Sequence, residues 1–331
     1  MAQPMIAVIG GGAWGTVLAV LAARNGCPTR LVIRDAKRAV EMNASRHSPR
    51  LPDQVQFPEA LIVTADASSA MDAAQVVILA VPAQEMRAAI DALRLPDSPQ
   101  IVVSAAKGIE LRTLCRMSTV IHESSNRPDL TVLALSGPNL AREIAEGKPA
   151  ASVIAGDPDA AAVVMRALGS ERFRLYAQPD LVGVELAGAL KNVIAIAAGV
   201  SDGIGAGDNA KAALITRGLA EMARIGSASG ASPMTFSGLA GLGDLYATCA
   251  SPLSRNRRAG ELLASGSSPA AIATTLGEVA EGMTTAFAAR ELAAGFGVDA
   301  PITNGVCRLI EGSVTPIDAM RELMTREQGF E

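Results

Sequence analysis

The sequence predicts an α/β chain that turns all-α, a parallel sheet covered by helices and followed by a helical domain. Three observations carry this. From Met5 to Tyr176 short Val/Ile/Leu runs alternate with helical patterns, as βαβ units require. The first of these runs enters a glycine-rich turn and then an apolar helix. After Gln178–Pro179 the β-type runs stop, and Ala-rich helical segments punctuated by Gly and Pro continue to the end.

The expected strands are Met5–Gly10, Thr29–Arg34, Leu61–Thr64, Gln75–Val81, Gln100–Ala105, Leu130–Ser136, Ala150–Ala155 and Arg172–Tyr176. They are nearly continuous apolar runs, which suits strands covered on both faces. Between them the clearest helices are Trp14–Asn25, Gln84–Leu93 and Asp157–Leu168. In the second half helices are expected near Leu181–Val200, Asn209–Ile225, Ser254–Ser265, Pro269–Leu276, Met283–Gly295 and Asp318–Glu327. No internal repeat interrupts this order.

Composition agrees and narrows the function. At 331 residues the chain suggests roughly two domains, and 49% hydrophobic against 19% charged residues exclude disorder. With nine aromatics, the core must be built from Ala, Val, Leu and Ile. A net charge of −4 gives no general attraction to nucleic acid or to an anionic membrane, so an anionic ligand needs a local cluster. Cys27, Cys115, Cys249 and Cys307 are far apart, and the only histidines are His47 and His122. Neither a zinc cage nor a disulfide framework is supported, and a reducing cytoplasm is the expected compartment. The apolar start, Met5 to Ala23, lacks a basic leader, and no later stretch reaches eighteen uninterrupted apolar residues. No membrane insertion is expected.

Met5-Ile-Ala-Val-Ile-Gly10-Gly11-Gly12-Ala13-Trp14-Gly15 is a strand running into a Gly-x-Gly-x-x-Gly turn and a helix. In that context Gly10 permits the tight turn, Gly12 admits a pyrophosphate to the backbone, and Gly15 allows close helix–strand packing. The helix N-terminus adds open N–H groups. Residues 1–178 therefore read as a dinucleotide-binding, Rossmann-like doubly wound domain, and residues 179–331 as a helical substrate-binding and catalytic domain. At the tip of the second strand the signal is mixed. Asp35 stands where an acid grips the ribose hydroxyls of NAD, whereas Arg34, supported by Lys37 and Arg38, suits the 2′-phosphate of NADP. Lys107 follows the fifth strand at the carboxyl edge, where open sheets bind ligands.

In the helical half, Glu185-Leu-Ala-Gly-Ala-Leu-Lys191-Asn192 places a lysine within an apolar helix. Such a lysine must snorkel, find a carboxylate or bind a ligand, and desolvation suits it to acid–base work. Lys191 is the leading proton carrier. Asp244, in a glycine-rich loop, either closes an Asx turn or orients Lys191. Ser254 is an N-cap candidate for a helix starting Ser254-Arg255-Asn256-Arg257-Arg258, where guanidinium forks and N–H groups form a phosphate cradle. Basic residues there oppose the helix dipole unless an anion binds. Gly277-Glu278-Val279-Ala280-Glu281-Gly282 supplies a carboxylate for the nicotinamide end, or merely caps a helix. Cys249 reads as packing.

Together these motifs resemble the bacterial NAD(P)-dependent sn-glycerol-3-phosphate dehydrogenases over almost the whole chain. Gly10-Gly-Gly-Ala-Trp-Gly-Thr16, Lys107-Gly-Ile-Glu110, Leu135-Ser-Gly-Pro138, Glu185 to Asn192, Gly207 to Gly218, Gly241-Leu-Gly-Asp244 and Leu253 to Arg258 carry the resemblance. It implies reversible hydride transfer between the nicotinamide and dihydroxyacetone phosphate, giving sn-glycerol 3-phosphate for glycerophospholipid synthesis. It implies catalytic roles for Lys191, Lys107 and Asp244, and substrate contacts from Lys107, Gly137, Asn139, Lys191, Asp244, Ser254, Arg255 and Asn256. Cofactor contacts are implied for Gly10, Gly12, Trp14, Gly15, Arg34, Lys107, Ala141, Arg255, Val279 and Glu281. The expected cofactor is NADP(H), with NAD(H) as the alternative, no metal, and a homodimer as the assembly. Asn139 stands where the family usually has Ser or Thr, and Ile33 where it often has an aromatic or His. Two alternatives stay open, a ketopantoate or other hydroxyacid reductase, which needs no phosphate cradle, and a non-catalytic NADP-binding redox sensor, which needs no buried lysine.

Overall fold

A computed structural model describes residues 3–72, 74–93, 95, 101–277 and 279–326. Gln100, Glu278 and Glu327, each part of an expected element or motif, lie outside the described residues. The chain forms two compact units, residues 1–107 with 115–185, and residues 108–114 with 186–331.

The first unit holds one eight-stranded sheet. Its strands are β1 (Ile6–Ile9), β2 (Thr29–Val32), β3 (Leu61–Thr64), β4 (Val76–Leu79), β5 (Ile101–Ser104), β6 (Thr131–Ser136), β7 (Ala150–Ala155) and β8 (Phe173–Gln178). All eight expected strands form, most of them trimmed by a residue or two at the ends. The order is β3-β2-β1-β4-β5-β6-β7-β8, and the first six strands are parallel. This is the doubly wound dinucleotide-binding order, with a switch point between β1 and β4. Two apolar layers cover the faces. Val8, Leu18, Leu31, Ile78, Leu133 and Phe173 belong to one, and Ala7, Leu79, Met86, Val102 and Ile121 to the other. In β1 and β4 successive residues feed opposite layers, which is why these strands read as unbroken apolar runs.

One expectation fails. The sheet is not wholly parallel, because β6 pairs with β7 in antiparallel register, Leu135 opposite Ile154, while β7 and β8 are parallel. The helix after β6 is only Ala141–Ala145, whereas Pro158–Leu168 joins β7 to β8. Five helical residues rise about 7.5 Å, well short of the roughly 20 Å of a six-residue strand, so the short helix does not by itself carry the chain back to the starting edge. The eleven-residue helix does.

The second unit is helical. Its long helices are Leu181–Gly203, from Leu186 onward, and Asp208–Ala228, followed by Pro233–Phe236, Asp244–Ala250, Arg255–Ala264, Pro269–Leu276, Gly282–Gly295, Pro301–Ile310 and Pro316–Met324. Leu181–Gly203 is long and apolar enough to cross a membrane, but 83% of its most apolar window is buried inside the protein. Pro301–Ile310 begins with the proline at its first turn that helix starts favour, a start the sequence reading did not use. Glu221 caps it, accepting from Ile302 N, Thr303 N and Thr303 Oγ1 at 2.9, 2.9 and 2.6 Å.

Candidate active site

At the nucleotide end of the first unit, Gly10 turns the chain out of β1 with φ +122°, a conformation that favours glycine. A Cβ there would lie 2.8 Å from the Ala80 carbonyl carbon, beyond β4, so the turn sits against the switch point. Gly12 faces open space and begins the helix Ala13–Arg24 without any side-chain cap. The first-turn amides thus keep their donors and the positive end of the dipole. Trp14 Nε1 and Asn139 Oδ1 are buried without a hydrogen-bond partner. A side-chain-free cradle, open amides and two orphaned polar atoms fit a dinucleotide.

At the tip of β2 the two signals have different surroundings. Asp35 is occupied locally, since its Oδ1 accepts Arg38 N at 3.0 Å and caps the helix Ala36–Ser45. Arg34 is 93% exposed and only loosely paired, 3.4 Å from Glu85. Ile33 is buried, and a Cβ on Gly11 would come within 3.2 Å of its Cβ, so it backs the glycine turn instead of facing solvent.

Beyond β5 and β6 the structure brings Lys107, Gly137 and Asn139 together. Lys107 Nζ donates to Gly137 O at 2.8 Å, and Gly137 has φ +146°. Asn139 Nδ2 donates to Ser152 Oγ at 3.1 Å, and that hydroxyl donates to Ser136 O at 2.7 Å. This chain fixes the Asn139 amide so that its Oδ1 is the orphan acceptor. Ala141 opens the next short helix. Glu185, the first residue of its motif, accepts Ser118 N at 2.7 Å and Arg116 Nη1 at 2.5 Å, and so secures the start of helix Met117–Ser125.

In the second unit Lys191 has found a carboxylate. Its Nζ lies 3.0 Å from Asp244 Oδ1 and donates to Thr248 Oγ1 at 2.7 Å, all three residues being buried. Thr248 in turn donates to Asp244 O at 2.6 Å. The stretch around Asp244, expected as a loop, is helical. Leu239–Gly243 is a π-helical turn that continues into Asp244–Ala250, because Gly241 lets the main chain pass against Phe236 where a Cβ would overlap it. That places Asp244 and Thr248 one helical turn apart, facing the lysine. Thr248 was missed, although an i, i+4 spacing from Asp244 was its signal.

Ser254 is the expected N-cap, accepting Arg257 N at 3.2 Å. The basic cluster is not an evenly open cradle, however. Arg257 pairs with Asp202 at 2.7 Å and with Glu261 at 2.9 Å, so its charge is met by the protein, while Arg255 and Arg258 are exposed. Asn256 is buried between Asn192 Oδ1, 2.8 Å from its Nδ2, and Gly282 N, 2.9 Å from its Oδ1. Val279 is exposed, and Glu281 precedes the helix Gly282–Gly295 without capping it through its side chain. Burial pushes the Cys249 thiol up to about 12, which keeps it protonated and agrees with a packing role.

The model of the NAD-dependent glycerol-3-phosphate dehydrogenase N-terminus matches residues 5–162, and that of the C-terminus matches residues 180–321. The chain is 45% identical over 325 residues to a glycerol-3-phosphate dehydrogenase [NAD(P)+] of Oleidesulfovibrio alaskensis, covering 97% of this chain and 98% of that one. It is 43% identical to the enzyme of that name from a Thermoanaerobacter species, with 98% of each chain covered. The crystal structure of a Coxiella burnetii glycerol-3-phosphate dehydrogenase superposes with a TM-score of 0.92 at 34% identity, covering 98% of this chain and 99% of that one. With both halves matched in sequence and the fold matched throughout, the chain belongs to the NAD-dependent glycerol-3-phosphate dehydrogenase family.

Proposed function

We propose that the chain interconverts dihydroxyacetone phosphate and sn-glycerol 3-phosphate and so supplies glycerophospholipid synthesis, with Lys191 as the proton carrier. The observation that carries this reading is the buried cluster of Lys191, Asp244 and Thr248. A bound nicotinamide dinucleotide supplies the hydride and its two electrons. The protein's task is to bind the ketone, hold its phosphate and deliver a proton to the oxygen of C2. An ammonium has three N–H bonds. Asp244 and Thr248 direct two of them, and the third is left for the substrate oxygen. Asp244 stabilises the ammonium that remains ready to donate, while Lys107 and Asn139 add polar contacts and stabilise the developing negative charge.

Ser254, Arg255 and Asn256, at the start of their helix, hold the phosphate, with Arg255 supplying the fork and the helix its open amides. Gly10, Gly12 and Gly15 form the pyrophosphate cradle. Trp14, Arg34, Ala141, Val279 and Glu281 complete the cofactor contacts, and Lys107 and Arg255 serve both ligands. Arg34, with Asp35 occupied as a helix cap, favours NADP(H) over NAD(H). Four cysteines outside any disulfide suit a cytoplasmic enzyme, and exposed apolar side chains such as Met234 and Phe296 suit burial in a homodimer. Following NADPH and NADH oxidation separately, with dihydroxyacetone phosphate as substrate and dihydroxyacetone and ketopantoate as controls, tests the reading. Efficient turnover of the phosphorylated ketone alone is expected, and equal use of either control contradicts it.

A further inference from the structure

The helices Leu181–Gly203 and Arg255–Ala264 pass each other at main-chain distance. A Cβ on Gly199 would lie 2.8 Å from the Arg257 carbonyl carbon and 3.1 Å from its Cα. A Cβ on Gly260 would lie 2.8 Å from Val200 N and 2.9 Å from the Gly199 Cα. Helices with side chains between them stand about 8–10 Å apart, and here neither glycine accepts a side chain unless the helices separate. Polar contacts flank the crossing. On one side Asn256 Nδ2 donates to Asn192 Oδ1 at 2.8 Å, and Gly282 N donates to Asn256 Oδ1 at 2.9 Å. On the other, Asp202 Oδ2 takes both Arg257 Nε and Lys211 Nζ at 2.7 Å.

The amide pair joins the chain neighbours of two charges that the proposed reaction needs, since Asn192 follows Lys191 and Asn256 follows Arg255. The offset between the proton carrier and the phosphate-holding arginine is therefore anchored at the main chain of both helices. We infer that Gly199 and Gly260 are specificity-determining positioning residues, which by permitting this crossing fix the substrate length that reaches both charges. That length selects a phosphate ester on the carbon next to the carbonyl over longer phosphoketones. The inference rests on the dihydroxyacetone phosphate reading given above.

Gly260→Ala tests it, with Gly199→Ala beside it. kcat/KM is measured at saturating NADPH for dihydroxyacetone phosphate and for 4-hydroxy-3-oxobutyl phosphate, one methylene longer, together with thermal unfolding and NADPH binding. A displacement of about 1 Å costs about 10²-fold in rate. The expected result is a loss of that order with dihydroxyacetone phosphate, a smaller loss with the longer ketone, and unchanged NADPH affinity, so that selectivity shifts by about tenfold or more. A variant that merely lowered the folded fraction would reduce both substrates equally. If the alanine variants do not fold, Asp202→Asn, which keeps the shape but removes the charge holding Arg257, carries the same comparison, with selectivity expected to shift by about threefold. An unchanged selectivity ratio in a folded variant overturns the inference and leaves the activity standing. Wild-type protein that does not turn over dihydroxyacetone phosphate overturns the activity reading itself.

Discussion

Lys191 and Asp244 form an ion pair at 3.0 Å between side chains that are only 7% and 3% exposed. A pair this deep is costly to break from one side, because the surviving charge stays buried without its partner. Asp244→Ala is therefore expected to destabilise the protein by about 3–5 kcal/mol. Asp244→Asn, which keeps a polar partner, should cost less. Urea unfolding followed by circular dichroism checks the order of the three midpoints.

The phosphate contact is tested at Arg255. Removing a charge-assisted hydrogen bond is expected to cost about 1.5–3 kcal/mol of transition-state binding, or roughly one to two orders of magnitude in kcat/KM for dihydroxyacetone phosphate. Turnover of unphosphorylated dihydroxyacetone should fall less, by no more than the cofactor contact of the same side chain costs. Steady-state kinetics of Arg255→Ala with both ketones makes the comparison, and equal losses on the two would remove the phosphate role.

Cofactor preference turns on the tip of β2. Arg34→Ala is expected to raise KM for NADPH markedly and KM for NADH little, because only NADPH carries a 2′-phosphate. Asp35→Ala should lower stability by about 1 kcal/mol through the lost helix cap. It should leave the cofactor ratio almost unmoved, which a ribose-gripping acid would not do.

Thiol reactivity reports the burial of the second unit. Desolvation raises the Cys249 thiol to about 12 and the Cys307 thiol to about 11, and raises Cys27 as well. A thiol raised in the folded state stays protonated until pH nears that value, so at pH 8 roughly one Cys249 in ten thousand is thiolate. Native protein treated with Ellman's reagent at pH 8 should show one rapid thiol, the half-buried Cys115. Four should react after denaturation.

The central strands β1 and β4 were legible because they are buried on both faces and read as unbroken apolar runs, whereas the edge strands β3 and β8 expose alternate residues. The direction of β7 was not legible, since it depends on how far five helical residues carry the chain. Lys191 stood out as a charge in an apolar helix. Its partner was harder to place, because Gly241 and Gly243 read as loop residues whereas the structure uses that stretch for a π-helical turn into a helix. Arg34 and Asp35 gave opposite messages, and the role of Asp35 as a helix cap is visible only in the structure. The neutralisation of Arg257 by Asp202, 55 residues earlier, and the crossing of Gly199 with Gly260 are tertiary facts with no local signature.

The central claim is that Lys191 delivers the proton, and single-turnover stopped-flow measurement of NADPH oxidation in Lys191→Met tests it most directly. Methionine keeps much of the side-chain volume while deleting the ammonium. With thermal unfolding and NADPH titration showing a folded, cofactor-binding protein, the rate of hydride transfer to dihydroxyacetone phosphate should fall by about 10²–10⁴-fold. A rate near that of the wild type in that folded variant would contradict the account and make Lys191 a structural partner of Asp244.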